Sequence, residues 1–422
     1  MQAGFFDRII TPPVGYEMPG SFRKRFSEGV LEDLRARCAY LKSADDELAI
    51  VSVDCVSFDA ALALRARQII AEHTDIPAHH VLIAATHTHT GGPTAEVLMS
   101  EADEFYVRWV AEQVATAVIE ARQRAQEAAI GWGMTEVPGI AHNRRWHLGD
   151  GTVQTNPGNR PDLVEPAGPV DDELIVIGVQ DTQGNVMGVI PNFTCHSTFI
   201  GGRRYSADYP GFLANELGVP TVFINGAMGD INQIDFTDPD GNYSGEEAAT
   251  DAAQKLAASV QKILSDVQWH DGVSLAAASQ TIEMQLRGPS PDALKDAREL
   301  LQAAGEQMDT EAIYARELVL LDEMIQRDGD VSDCEIQALR VGDVLISAAP
   351  LQPFCSLGLD IKDSQTSPTM ISSMANGCLG YLGPMAAYEE GGYELELKRT
   401  SRLAPGSGER YVEGAIATLS SV

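Results

Sequence analysis

Positive charge is scarce in this chain. Its 422 residues include 30 Lys and Arg against 61 Asp and Glu, a formal net charge of −31 at pH 7. The acidic residues are spread along the chain and form no tail, a pattern that serves solubility or a salt-tolerant host. The deficit is useful for what it excludes: a polyanion is repelled by phosphate backbones and anionic lipid surfaces unless a local basic patch intervenes. The short basic groupings are "RKR" at 23–25 and "RR" at 144–145 and 203–204, so nucleic-acid binding is disfavoured.

CxxC pairs are missing as well. Six cysteines, Cys38, Cys55, Cys195, Cys334, Cys355 and Cys378, are scattered over the length, which argues against a disulfide framework and for a reducing compartment. No apolar run approaches the ~18 residues of a membrane span. The opening "MQAGFFDRIITPP" shows no basic region followed by a long apolar core. A soluble, cytoplasmic protein without membrane insertion is expected. Repeats, low-complexity blocks and Pro/Ser linkers are also lacking. Length alone would allow two or three domains, but one interleaved α/β domain over 1–422 is the expectation.

What is present is a succession of buried-looking strands and amphipathic helices. "LAIVSVD" from residue 48, the helical "ALALRARQIIAEH" and the second strand "HVLIAAT" make a βαβ unit. A long helix at about 101–126 follows, then strands near "AIGWGMTEV", "ELIVIGVQD" and "VMGVIPNFTC", a helical "PGFLANEL", and another strand, "TVFINGA". Residues 274–286 read as a strand, and 291–304 and 309–327 as a helical hairpin. Leu294, Ala297, Leu301 and Ala304 mark the stripe of its first helix, for packing on the sheet or a neighbouring subunit. Strand character returns at "EIQALRVGDVLISAAP" and "TMISSMAN". Short Val/Ile-rich runs without alternation imply strands covered on both faces. The fold class is therefore α/β, with a mixed or parallel central sheet flanked by helices.

Polar clusters recur where strands end. "LAIVSVD" ends in Asp54, "VLIAAT" leads to His87 and His89, "VIPNFTC" to His196, and "TVFINGAMGD" contains Asn225 and Asp230. In open α/β sheets ligands bind beyond the carboxyl ends of the strands, so these side chains can converge on one crevice, the expected active site. If the strand continues, His87 and His89 share a face, because side chains two apart point the same way. Imidazole suits zinc and other borderline metals, and His196 of "CHST" would complete the set. The competing reading is a histidine that caps the strand and bonds nearby carbonyls.

Gly91, Gly92 and Pro93 fit a tight turn bringing backbone close to a substrate. Asp208 of "SADYPG" is compatible with capping the helix begun by Pro210. Arg144 and Arg145 of "HNRRWHLGDG" suit a carboxylate or oxyanion, or the surface. His142 and His147 have no strand context and read as surface or loop residues. Cys195 is a poor thiol partner for His196, since adjacent strand residues face opposite sides.

Taken in order, "ITPPVG", "ATHTHTGGP", "HNRR", "CHST", "SADYPG", "FINGAMGD" and "GYLGPMAAYEEGGYE" resemble the neutral/alkaline (non-lysosomal) ceramidase family, from about residue 9 to 394. The resemblance implies a zinc-dependent amidase fold and a short, single-domain branch. By it, His87 is a zinc ligand, His89 a neighbouring catalytic histidine, His196 a second ligand and Arg144 a substrate-side arginine. The family completes its zinc shell with a Glu and a Tyr from the C-terminal third. Here the Glu position in "APLQPF" holds Gln352. Tyr381 of "NGCLGYLGP" is a candidate for the Tyr, with Cys378 at another tyrosine-type position. Asn232 stands where true ceramidases have serine. The C-terminal immunoglobulin-like domain of the long enzymes is expected to be absent, since 28 residues follow Glu394.

The implied activity is hydrolysis of an amide, ester or lactone in a small acyl-containing substrate, ceramidase-like without being a true ceramidase. One zinc ion per chain, or another divalent transition metal, would lower the pKa of bound water towards ~7 and polarise the carbonyl. His89 or a neighbouring carboxylate, Asp54 or Asp230, would shuttle the proton, while Arg144 and Asn232 hold the substrate oxygen. The alternatives are a metal-dependent lyase or isomerase on the same scaffold, or a non-catalytic metal- or ligand-binding relative, suggested by Gln352 and Asn232. The expected partner is a small-molecule substrate, with a homo-oligomer left open.

Overall fold

The computed structural model describes residues 1–305 and 308–422. Two β-sheets lie face to face. The larger has eight strands in the spatial order Ile224–Asn225, Val186–Phe193, Glu173–Asp181, Gln126–Glu136, Gln2–Ile9, Arg35–Lys42, Glu47–Val53 and Val81–Ala85. The smaller has four: Leu275–Gln285, Val331–Val341, Val344–Ala348 and Thr369–Ser372.

Alternation along each strand explains the layering. In Glu47–Val53, Ala49, Val51 and Val53 point to one apolar cluster, and Leu48 and Ile50 to another. The first lies under the helices Ala60–His73, Glu104–Gln123, Tyr209–Leu217 and Glu246–Asp266. The second is the layer between the sheets, where Ile50, Leu82, Ile130 and Ile177 meet Leu339, Val341, Ile346 and Met370. Beyond the smaller sheet, Ile336, Leu345 and Ile371 pack against Leu357 and Ile361 of helix Cys355–Asp363 and Tyr411 and Ala415 of helix Ser407–Leu419. The fold is thus a mixed α/β architecture of four layers. Both faces of the central strands are covered as their composition implied, but one cover is a second sheet.

Within these two sheets three strand pairs are parallel: Glu47–Val53 with Val81–Ala85, Val186–Phe193 with Ile224–Asn225, and Val344–Ala348 with Thr369–Ser372. A parallel pair needs a crossover, and each has a helix, Ala60–His73, Tyr209–Leu217 and Cys355–Asp363 respectively. The carboxyl ends of these strands lead into the segments that carry His87, His196, Asp230, Gln352 and Cys378.

The helical pair is present as Pro291–Ala304 and Thr310–Asp328; part of its turn, 306–307, lies outside the described residues. Met324 and Ile325 of the second helix reach the core beside the smaller sheet. Nearer the start of that helix, Arg316 Nη1 donates to the Leu98 carbonyl (2.8 Å), and the buried Glu317 accepts from Arg399 (2.8 Å). The hairpin therefore braces loops of its own chain as well as the sheet. Among the described residues, no helix is long and apolar enough to cross a membrane.

Candidate metal centre and its cavity

The strand Val81–Ala85 ends two residues before His87, and His87 takes a left-handed backbone conformation with φ 66°. The expectation that a continuing strand puts both histidines on one face is therefore corrected. The pair is brought together by a strained loop, at a cost of about 1–3 kcal/mol for a non-glycine residue. Thr88 and Thr90 turn the other way, both hydroxyls donating to the Ser206 carbonyl (2.6 and 3.0 Å). The Thr86 carbonyl accepts from Ser197 Oγ (2.8 Å) and Asn225 Nδ2 (3.3 Å), while Asn225 Oδ1 accepts from the Cys195 amide (3.3 Å). Asn225 thus ties the segment before His87 to the segment before His196.

Each imidazole is fixed through Nδ1. His87 donates to the Val56 carbonyl (2.6 Å), His89 to Gly20 (2.8 Å), and His196 to Met228 (2.7 Å) and Ile231 (2.8 Å). A carbonyl only accepts, so Nδ1 carries the proton and every Nε2 keeps a lone pair. Those atoms lie within 4.8 Å of one another, and the Nε2 atoms of His87 and His89 are 3.3 Å apart. Facing lone pairs need a shared electrophile, and carbonyl-oriented imidazoles are the usual surroundings of a bound transition metal. The cluster could hold one metal ion. Burial keeps the rings neutral: it lowers His87 and His196 well below the ordinary value and His89 to about 4.

The opposite wall comes from the C-terminal third. Short strands Gln352–Pro353 and Tyr381–Leu382 pair in parallel with Gln352 beside Tyr381. Gln352 is 4% exposed, lines the cavity, and its Oε1 is buried without a hydrogen-bond partner. An orphaned amide oxygen in the cavity that His87 and His89 also line is the second sign that a cation belongs here. Tyr381 Oη accepts from Arg144 Nη2 (3.2 Å). Arg144 also donates through Nε to Glu394 (2.7 Å) and through Nη2 to the Gly229 carbonyl (2.7 Å), and its Nη1 lies 3.3 Å from His196 Nε2. Burial alone would lower the Arg144 pKa, but Tyr381 and Glu394 carry it upward and keep the guanidinium charged. Burial pushes the Cys378 thiol up. Asn232 donates to Asn156 Oδ1 (2.8 Å) and accepts from the Ile234 amide (3.0 Å).

These groups enclose a cavity of about 300 Å³, lined by His87, His89, Arg144, Asn232, Gln352, Cys378 and Tyr381 among others. Two proposed carboxylates lie outside that lining. Asp54 is fully buried, paired with Arg37 (2.5 Å) and accepting from the Arg35 amide (2.8 Å). Asp230 accepts from Asn143 (2.8 Å) and the Cys355 amide (2.7 Å), and burial pushes it up to about 6. Asp208 caps helix Tyr209–Leu217, accepting from the Tyr209 amide (2.7 Å). Arg145 is buried against Glu390 (2.9 Å), not at the surface. Gly91 and Gly92 meet protein instead of substrate: a Cβ would strike the Cys55 backbone at the first and Tyr106 at the second. Residues with no role assigned from sequence complete the site: Glu394 behind Arg144, Gly20 behind His89, and Phe22, whose ring meets Tyr314 (6.0 Å) and Tyr393 (5.9 Å).

A four-layer α/β scaffold with two buried imidazoles and one half-buried, converging at its strand ends, defines the class. The particular scaffold is that of the neutral ceramidases. The solved neutral ceramidase of Pseudomonas aeruginosa aligns with a TM-score of 0.76 at 17% identity, over 100% of this chain and 75% of that one. A ceramidase complexed with C2 aligns with the same score and identity, over 99% and 74%. No protein-family model and no curated protein matches the chain by sequence. At this identity the likeness establishes the fold, and activity has to be argued from the site.

Proposed function

We propose that the protein is a metal-dependent amidohydrolase cleaving an amide, ester or lactone in a small acyl compound. The observation that carries this is the convergence of three Nε2 lone pairs within 4.8 Å of one another, at a cavity that also holds the orphaned Gln352 oxygen and a charged Arg144. His87 and His196, the more deeply buried rings, would hold zinc or a similar divalent ion, with Gln352 and Tyr381 next to them. Such an ion, when bound, supplies Lewis-acid polarisation and a water acidic enough to attack at neutral pH.

The chain's own groups do the rest. Arg144, preorganised by Glu394 and the Gly229 carbonyl, and Asn232 donate to the carbonyl oxygen as negative charge develops there. His89 is only partly buried and is locked through Nδ1 to Gly20, so its Nε2 is the accessible base for a proton in transit. Asn232 accounts for the absence of a serine nucleophile: it orients substrate and forms no covalent bond. Elemental analysis of protein purified without added metal should find about one transition metal per chain. Chelation should abolish hydrolysis of short acyl amides, esters and lactones, and mass analysis of products separates water addition from elimination or isomerisation. A metal-free preparation with full activity would overturn the reading.

A further inference from the structure

The cavity contradicts the rest of the molecule in charge. The chain has 61 Asp and Glu against 30 Lys and Arg, yet among the described residues no carboxylate lines the cavity, and its one permanently charged side chain is Arg144. The candidate ligands, the imidazoles of His87 and His196 with Gln352 and Tyr381 beside them, include no carboxylate and would leave the charge of a divalent ion uncompensated. Glu394 does not make up the deficit, because its fully buried carboxylate is taken up by Arg144 Nε (2.7 Å) and Thr155 Oγ1 (2.6 Å). A second guanidinium stands behind His89. Arg25 donates to the carbonyls of His89 (2.6 Å), Gly202 (3.1 Å) and Pro19 (3.4 Å), all uncharged acceptors.

We propose that the substrate is an anion: a small acyl compound whose carboxylate lies close to the scissile carbonyl, as in a short N-acyl amino acid. This rests on the hydrolase reading and narrows it. The apolar lining residues Phe22, Val56, Leu98 and Ile234 receive the acyl group, and the Asn156 carboxamide, in the field of the Arg144 guanidinium, receives the charged end, while Arg144 and Asn232 keep their donors for the scissile carbonyl. A volume of about 300 Å³ is at the small end of ligand sites and leaves little room for a long chain. An uncompensated positive field in a cleft with low-dielectric walls also raises the local concentration of an anion that the outer surface repels.

The test is calorimetric binding of N-butanoylglycine against the uncharged N-butanoylglycinamide, on metal-loaded protein, with products assayed in parallel. The anion should bind at least about tenfold more tightly, with a preference that shrinks as salt is raised. Gln352→Glu and Asn156→Asp each bring a carboxylate to the wall and should erase most of that preference. Asn156 is exposed, so its variant keeps the test valid if Gln352→Glu misfolds. Equal binding of the two compounds, no binding of either, or a preference untouched in the folded variants would overturn the proposal. Hydrolysis of both compounds without preference sinks the anion and leaves the hydrolase. Preference without hydrolysis of either sinks the hydrolase and leaves the anion.

Discussion

The loops leaving the larger sheet hold their imidazoles with neutral hydrogen bonds to backbone carbonyls, whereas the tail beyond the smaller sheet is held by buried charges. On the first side stand the carbonyls of Val56, Gly20, Met228 and Ile231, and the amide of Asn225. On the second stand Arg144 with Glu394, Arg145 with Glu390, Glu317 with Arg399, and the fully buried Lys398. Neutral bonds fix a ligand's direction without altering the charge of the site. Ion pairs buried by one chain segment on another fix a wall only while both partners keep their charge, because a lone charge left inside is expensive. The metal face should therefore be insensitive to modest changes of charge, and the substrate wall sensitive to them.

The largest expected effect separates the faces by metal content. His87→Ala and His196→Ala should lose bound metal and turnover together. His89→Ala should keep metal and lose ~10²-fold or more in turnover, the scale of a positioned acid–base group. Gln352→Ala should keep a measurable share of the metal. Bound metal measured on the four purified variants decides. Equal loss in all four would erase the distinction between the walls, and loss in none would remove the metal centre.

Next in size is Glu394→Gln, which leaves Arg144 buried without its carboxylate. About 3–5 kcal/mol of stability should go, the usual cost of breaking a buried pair from one side. Denaturant titration measures it, and an unchanged midpoint would mean that Arg144 finds another anion.

How far each side was legible in the sequence follows from the same contrast. His87, His89 and His196 stood out because their residue type is rare at strand ends, although the local geometry is a left-handed turn and not a strand face. Gln352, Tyr381 and Cys378 came through the family resemblance alone. Glu394 was beyond reach, since its partner Arg144 is 250 residues away and no spacing rule links them. Gly20 acts through a carbonyl, which every residue has. Helix Glu246–Asp266 escaped because its buried stripe is mainly alanine, Ala248, Ala249, Ala252, Ala253 and Ala257, a weak apolar signal. The two-sheet core escaped for another reason: a strand buried on both faces reads the same under a helix as under a sheet.

Asn225→Ala tests the neutral side at a smaller scale. Its amide joins the segments carrying His87 and His196, so its loss should cost about 1–3 kcal/mol, chiefly by leaving the buried Cys195 amide without its acceptor. Metal affinity should fall about 10–100-fold, as when other residues that orient ligands are removed. A stability loss with unaltered metal affinity would show that the histidines are held without it.

The smallest effect lies in the tail and appears as pH dependence. Lys398 is fully buried, donating to the carbonyls of Tyr393 and Glu396 with its ammonium 4.1 Å from the Tyr393 ring centroid. Burial lowers its pKa from 10.5 to about 7, against the pull of Glu396 and Glu394. The sign follows from proton counting. Between about 7 and 10.5 the unfolded chain keeps a proton on Lys398 that the folded chain has released, so this residue makes stability rise with pH across that window and weaken as pH falls towards 7. Lys398→Met has no proton to exchange. From about pH 7 to about pH 8.5 the parent should therefore gain about 1–2 kcal/mol more than the variant, on a scale of about 1.4 kcal/mol per unit of pH for one proton. Chemical denaturation of both proteins at several pH values measures the difference, in which titrating groups remote from Lys398 cancel. Parallel curves would mean that Lys398 stays charged in the fold, and that the tail's buried charges are better compensated than their partners indicate.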